Sequence, residues 1–119
     1  MTDPGAATDD TRDYVAITRL QAAYADVVNR RAWPELADLF ETTAVIRVDT
    51  VTADAREFAG PVALGEFIGG AIERFDFFEF VILNTVVAVG EAADPSVATA
   101  RVFMCEIRRD HASAEFSIA

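Results

Sequence analysis

Residues 75–89 read Phe-Asp-Phe-Phe-Glu-Phe-Val-Ile-Leu-Asn-Thr-Val-Val-Ala-Val. The stretch has aromatic and β-branched side chains at odd and even positions, lacks Gly and Pro, and is followed by Gly90. Such a run is typical of a strand buried on both faces. From Phe77 to Val89 it would span roughly 40 Å at ~3.3 Å per residue, which favours a bent sheet. We expect the rest of the chain to pack against it.

Composition limits the class of protein and its partners. The chain has 119 residues, of which 52% are hydrophobic and 25% charged, enough for one domain with a core. No apolar run approaches the ~18 residues of a membrane span, so we expect a soluble protein. Twenty acidic and ten basic side chains give a net charge of −10. This charge repels phosphate backbones and anionic lipids, so nucleic acid and membranes are not expected partners.

The N-terminus and the single cysteine bear on domain organisation and location. Residues 1–8 have no basic region and no apolar run, so they are interpreted as a flexible N-terminus and not as a signal peptide. A single domain over residues 9–119 follows. Cys105 can form no intramolecular disulfide, which favours a reducing, cytoplasmic location. We expect it to be a small buried apolar side chain, the alternative being a nucleophile or redox thiol.

Helical spacing dominates the first part of the chain. Residues 9–30 predict an amphipathic helix with one buried stripe, formed by Val15, Ile17, Leu20, Tyr24, Val27 and Val28. Pro34 is well placed to open a second helix, antiparallel to the first. Pro61 opens a third, in which Gly65 and Gly69 would let the helix lie close to the sheet.

Strand patterns account for the remainder. A short hairpin is predicted from residues 44–51 and 56–59. After residues 77–89 come a turn over 90–96, a second long strand over 97–108, and a last strand beginning near residue 112. This last strand is apolar to its end, so we expect either further C-terminal residues or an edge completed by a partner.

The order of these elements and their sequence motifs resemble the SnoaL-like branch of the NTF2-like superfamily. The resemblance rests on ITRLQAAYAD at 17–26, WPELADLF at 33–40, and Gly60 before the third helix. It implies an α+β fold in which a curved antiparallel sheet forms a cone closed by three N-terminal helices, with an apolar pocket at the wide end. The family's Asp-Gly-x-Trp-like ending is absent here, so the last strand is expected to be missing.

The family includes polyketide cyclases, scytalone dehydratase, ketosteroid isomerase and non-enzymatic binding domains. The resemblance therefore implies a small hydrophobic ligand and, for an enzyme, dehydratase, isomerase or cyclase chemistry that needs no cofactor. Its sheets commonly pair, so a homodimer through the sheet is expected. The alternative is a non-catalytic domain for ligand binding or dimerisation.

Two positions of the family's catalytic pair differ in this chain. Scytalone dehydratase-like members use an Asp near the end of the first helix to orient a His in the long strand. These positions fall on Asn29 and on or beside Glu79. If Glu79 faces the cone, its apolar neighbours should raise its pKa and make it a general acid or base. The alternative is a solvated carboxylate on the outer sheet face, near Arg101.

Other polar and aromatic residues are candidate ligand contacts. The resemblance directs Tyr24, Val28 and Trp33 toward the pocket, where Tyr24 or Trp33 can donate a hydrogen bond, although both can equally be core aromatics. Asn84 interrupts the long strand as either a pocket amide or a solvated one. His111 is interpreted as an exposed turn residue, the alternative being a general base. No metal-ligand spacing occurs, so no metal is expected.

Overall fold

The computed structural model describes residues 4–90 and 94–119. It contains helices α1 and α2, a 3₁₀ helix and five strands, namely α1 Pro4–Arg30, the 3₁₀ helix Trp33–Asp38, β1 Val45–Val48, β2 Arg56–Ala59, α2 Pro61–Ile72, β3 Phe75–Val89, β4 Ala98–Asp110 and β5 Ser117–Ile118. Residues 1–3 of the predicted flexible N-terminus and residues 91–93 of the predicted turn lie outside the described residues.

Helix α1 is longer than predicted, because it begins at Pro4 and not near Asp9. Its predicted stripe is buried only toward the C-terminal end, where Val28 is 2% exposed, whereas Val15 and Leu20 are 43% and 47% exposed. The prediction of one continuous buried stripe is therefore wrong. In the ranges 4–90 and 94–119, no helix combines the length and apolar character needed to cross a membrane.

The second predicted helix is a 3₁₀ helix of six residues. It carries Leu36, which is fully buried and forms a core with Val27 and Leu64. A Cβ at Gly65 or Gly69 would lie 3.2 or 3.1 Å from the nearest Trp33 atom. These glycines therefore leave room for Trp33 of the 3₁₀ helix, and their effect on how closely α2 lies to the sheet stays a prediction.

Two antiparallel sheets form in the described residues, one from β1 and β2 and one in the order β3-β4-β5. The register of β3 with β4 shifts between Phe75 and Phe77 and again between Ile82 and Asn84. Such irregularities bend a strand. No strand pairing joins the two sheets within the described ranges, so the predicted closed cone is not observed there. Helix α2 comes after the β1–β2 hairpin in the chain, so the predicted set of three N-terminal helices is not observed either.

The two faces of the β3–β4 hairpin differ in what covers them. The inner face is the side on which Tyr24 of α1 contacts Phe80, with ring centroids 5.7 Å apart. The outer face is the opposite side, where Phe116 contacts Phe77 at 5.3 Å. Strand alternation assigns the remaining side chains: the inner face carries Phe78, Ile82, Val102, Met104, Glu106 and Arg108, and the outer face carries Glu79, Val81, Asn84, Val86, Arg101, Phe103, Cys105 and Ile107.

Candidate functional site

An apolar cavity lies on the inner face, between α1, the segment after the 3₁₀ helix, and the β3–β4 hairpin. Its volume is about 250 Å³, slightly below the usual range for drug-sized ligands. Each element contributes side chains, and the lining residues are Leu20, Gln21, Tyr24, Leu39, Phe40, Phe80, Ile82 and Val102. Gln21 and Tyr24 are the only lining residues with polar side chains, so the cavity suits a small and mainly apolar molecule.

Tyr24 contributes a hydroxyl group to the residues that line the cavity. Its ring meets Phe40 and Phe80 edge-on, with centroid distances of 6.0 and 5.7 Å. Burial raises the pKa of the Tyr24 hydroxyl, and the negative charge of Glu106 raises it further. The phenol therefore stays protonated at neutral pH and can donate a hydrogen bond into the cavity.

Glu106 lies on the inner face directly opposite Phe80. Its backbone N–H donates to Ala119 O at 2.9 Å and its carbonyl accepts from Ala119 N–H at 3.0 Å. The backbone of Phe80 bonds to Asn29, so Phe80 and Glu106 form a non-hydrogen-bonded pair, in which facing side chains lie close together. This placement explains how the Glu106 charge reaches Tyr24.

Gln21 precedes Tyr24 by three residues and shares its helix face. Its Oε1 atom is buried and has no hydrogen-bond partner among the described residues. A buried acceptor without a donor is costly to the folded state.

Asn29, predicted as a catalytic position, joins α1 to the free edge of β3. Its Nδ2 donates to Phe80 O at 3.0 Å, and its Oδ1 accepts from Phe80 N–H at 2.6 Å. Both functional groups of the amide are thereby used by the backbone. The geometry gives Asn29 a role in positioning Phe80, one of the cavity residues.

Glu79 and Asn84 lie on the outer face and do not line the cavity. Both are exposed, with Glu79 opposite Ile107 and Asn84 opposite Phe103. A catalytic role for Glu79 and a ligand contact for Asn84 stay predictions that nothing in this geometry tests directly.

The remaining candidates are dispersed over the molecule. Val28 is buried and does not line the cavity, and Trp33 lines a separate groove against α2. His111 is exposed, with Nε2 3.2 Å from Glu73 O, and lines a polar groove that also contains Asp76. Cys105 is half-buried on the outer face. Of the candidate site residues predicted from the sequence, only Tyr24 lines the cavity.

Two polar residues of this region, Gln21 and Glu106, were missed by sequence reasoning. The signal for Glu106 was its spacing along β4, since side chains two residues apart share a face of a strand. Glu106 therefore shares its face with the apolar Met104 and Val102. Gln21 was marked only by its spacing from Tyr24. No three His, Cys, Asp or Glu side chains within residues 4–90 and 94–119 come together as a metal site.

A family model described as a SnoaL-like domain matches residues 9–119. The chain belongs to the SnoaL-like domain family. A solved structure described as "Putative Scytalone Dehydratase" from Novosphingobium aromaticivorans is similar, with a TM-score of 0.72 and 19% sequence identity. The match covers 93% of this chain and 70% of that chain, and it supports an NTF2-like fold. A search of curated proteins finds no match.

Proposed function

We propose that this SnoaL-like domain binds a small hydrophobic molecule in the inner-face cavity. The observation that carries the proposal is the combination of an apolar lining with the half-buried Tyr24, whose phenol is protonated at neutral pH and whose pKa is raised by the nearby Glu106. Apolar walls supply affinity through burial, while the few polar groups fix orientation. A cavity of about 250 Å³ favours ligands of one or two rings.

Within this proposal the acid–base pair is Glu106 with Tyr24. The Glu106 carboxylate removes a proton from a carbon next to a ligand carbonyl, and the Tyr24 O–H donates to the oxygen on which negative charge develops. In a β,γ-unsaturated ketone, protonated Glu106 then returns the proton to the γ carbon and the double bond moves between the α and β carbons, which completes an isomerisation without a cofactor. Glu106 is preferred to Glu79 because it shares the inner face with the cavity.

Binding can be tested with benzofuran, a two-ring apolar probe, by calorimetry. The Val102→Phe variant places a ring into the cavity and should weaken binding by at least about tenfold, a loss of ~1.4 kcal/mol. Val86→Phe makes the same change on the outer face of β3 and should leave binding unchanged. Absence of binding to the unmodified protein, or equal loss in both variants, would refute the cavity as the ligand site.

Catalysis can be tested with 2-tetralone, a two-ring ketone, by following exchange of its α-protons in D₂O by NMR. We expect exchange above the buffer rate, lost in Glu106→Gln and retained in Glu79→Gln. The opposite pattern would assign the base to Glu79. Exchange at the buffer rate despite bound ketone would support the alternative function, a non-catalytic ligand-binding domain.

A second proposal concerns the outer face, which we assign to a homodimer. Its exposed side chains include Phe103 at 51% and Val86 at 52%. Glu79 and Arg101 lie near opposite ends of this apolar stretch. A second copy related by a two-fold axis across the strands would bring Glu79 of each copy toward Arg101 of the other, so the face is self-complementary in charge.

The dimer can be tested by sedimentation equilibrium. Glu79→Arg should weaken association, and adding Arg101→Glu to the same chain should restore it because the pairs are reversed. A monomer at all concentrations, or a reversal of charge without effect, would contradict this assignment.

A further inference from the structure

Three aromatic rings line the inner-face cavity together. Tyr24, Phe40 and Phe80 are each half-buried, so a ligand in the cavity can cover the surface that each ring still exposes. The plane of the Tyr24 ring stands at 72° to that of Phe40 and at 89° to that of Phe80. Rings in nearly perpendicular orientations can enclose a rounded group from more than one side, as aromatic sites do around quaternary ammonium ions.

The charge near these rings is negative. Glu106 lies on the same face, opposite Phe80, and forms no ion pair within the described residues. Burial is the larger cause of the raised pKa of Tyr24 and the Glu106 charge is the second, so this charge is felt at a residue that lines the cavity.

Positive side chains do not offset the Glu106 charge inside the cavity. Arg108 is the next inner-face residue along β4, but its guanidinium lies 5.2 Å from the ring centroid of Phe75, which is not part of the lining. No arginine of the described residues lines the cavity, and the chain contains no lysine. The net charge of −10 also raises the concentration of cations near the protein surface.

We infer that the cavity prefers ligands in which an apolar body carries a quaternary or tertiary ammonium group, and this inference rests on the proposed ligand-binding function. The ammonium group contacts the aromatic rings, and the Glu106 carboxylate attracts it along the inner face. Burying a charge is costly in general. Here the lining residue Leu20 is 47% exposed, so the cavity is open to solvent on that side and a bound cation keeps part of its hydration.

A matched pair of probes isolates the effect of the charge. The compounds para-trimethylammonio-benzyl alcohol and para-tert-butylbenzyl alcohol have nearly the same shape, and they differ in a cationic nitrogen against a neutral carbon. Calorimetry gives the ratio of their two affinities, which cancels what the rings and hydroxyl groups have in common. We expect the ammonium compound to bind at least about threefold more tightly, and this preference should shrink as the salt concentration is raised.

Variants of the carboxylate and of the rings identify the source of the preference. Glu106→Gln keeps the size of the side chain and should lower the ratio about threefold to tenfold. Phe40→Leu removes one ring and should lower it about twofold to fivefold, and Phe80→Leu gives a second test should Phe40→Leu unfold. The control is Glu57→Gln, which removes one exposed negative charge from β2 in the other sheet and should leave the ratio unchanged.

The outcomes separate the inference from the function on which it rests. If benzofuran and both alcohols fail to bind the unmodified protein, the proposed function fails. If benzofuran binds but the ammonium compound shows no advantage over the neutral alcohol, the function stands and the preference for cations is overturned. An equal loss of preference in Glu106→Gln and Glu57→Gln would overturn it by tracing the effect to the net charge of the chain. A ratio unchanged by the loss of either ring would overturn the aromatic contact.

Discussion

The two faces of the β3–β4 hairpin are built from alternate residues of the same strands, yet they differ in burial and chemistry. On the inner face Phe80 and Ile82 are half-buried against α1 and line the cavity. On the outer face Phe103 and Val86 are 51% and 52% exposed. Apolar side chains at both parities therefore do not mean that a chain covers both faces by itself. Exposed apolar faces often mark interaction sites in proteins, and this one carries the homodimer proposed above.

The acidic residues show the same contrast. Glu106 lies on the inner face and its charge raises the pKa of Tyr24, whereas Glu79, on the next rung of the ladder but the opposite face, is exposed to solvent. The two carboxylates lie on different strands but at nearly the same position along the β3–β4 hairpin. Their face decides whether either can act on a bound molecule.

The largest expected difference between the faces is in the stability supplied by two phenylalanines. Phe75 stacks on the inner-face Phe78, with ring centroids 6.1 Å apart, and is 5% exposed. The guanidinium groups of Arg74 and Arg108 lie 4.8 and 5.2 Å from its ring centroid. Phe75→Ala should lower the free energy of unfolding by about 3–5 kcal/mol. Phe103→Ala, on the outer face, should cost less than about 1 kcal/mol.

Urea unfolding at low protein concentration measures both phenylalanine variants. An equal loss for Phe103 would mean that the outer face is buried in solution, and the contrast between the faces would then be removed by a partner. An unchanged free energy of unfolding in Phe75→Ala would contradict the burial of Phe75 at this end of the hairpin.

A smaller effect is expected from two asparagines. Asn29 makes two hydrogen bonds to the Phe80 backbone from the inner side, and Asn84 is exposed on the outer face of the same strand. Asn29→Ala should cost about 1–3 kcal/mol, because it leaves the Phe80 N–H and C=O without their partner. Asn84→Ala should fall within about 0.5 kcal/mol.

Hydrogen exchange adds a local measurement to the unfolding curves of the asparagine variants. The Phe80 amide should exchange faster in Asn29→Ala and unchanged in Asn84→Ala. Equal exchange in the two variants would show that the amide of Asn29 does not hold the strand edge in solution.

The sequence predicted the helices and strands better than the contacts that each of them makes. The long strand, the paired β4, and the start of α2 at Pro61 follow from local chemistry, namely β-branched runs and the preference of Pro for a helix start. The family resemblance predicted a SnoaL-like domain, which the match over residues 9–119 confirms, whereas the closed cone is not observed in the described residues. The second helix was wrong in type, because six residues from Trp33 satisfy both 3₁₀ and α patterns.

The site was harder to predict because it depends on which strand face meets the helix. Two register shifts in β3 break the simple alternation, and nothing local to Glu79 indicates on which side it lies. Gln21 and Glu106 become neighbours of the cavity only through contacts between distant parts of the chain. Tyr24 could be predicted since helix periodicity and the resemblance both direct it inward.

The smallest expected effect is a shift in the titration of Tyr24, and it separates the two carboxylates directly. In a Tyr14→Phe background only Tyr24 titrates as a phenol, and ultraviolet absorbance measures its pKa. The value should exceed the ordinary phenol value of about 10, because burial and Glu106 both disfavour phenolate. Glu106→Gln should lower the pKa of Tyr24 only partly, since burial is the larger cause. Glu79→Gln should leave it unchanged. The folded state favours the neutral phenol, so the stability that Tyr24 contributes is complete below pH ~10 and is lost as the pH rises through the folded pKa. An equal shift from Glu79→Gln would mean that both carboxylates lie within reach of the cavity and that the two faces are not electrostatically separate.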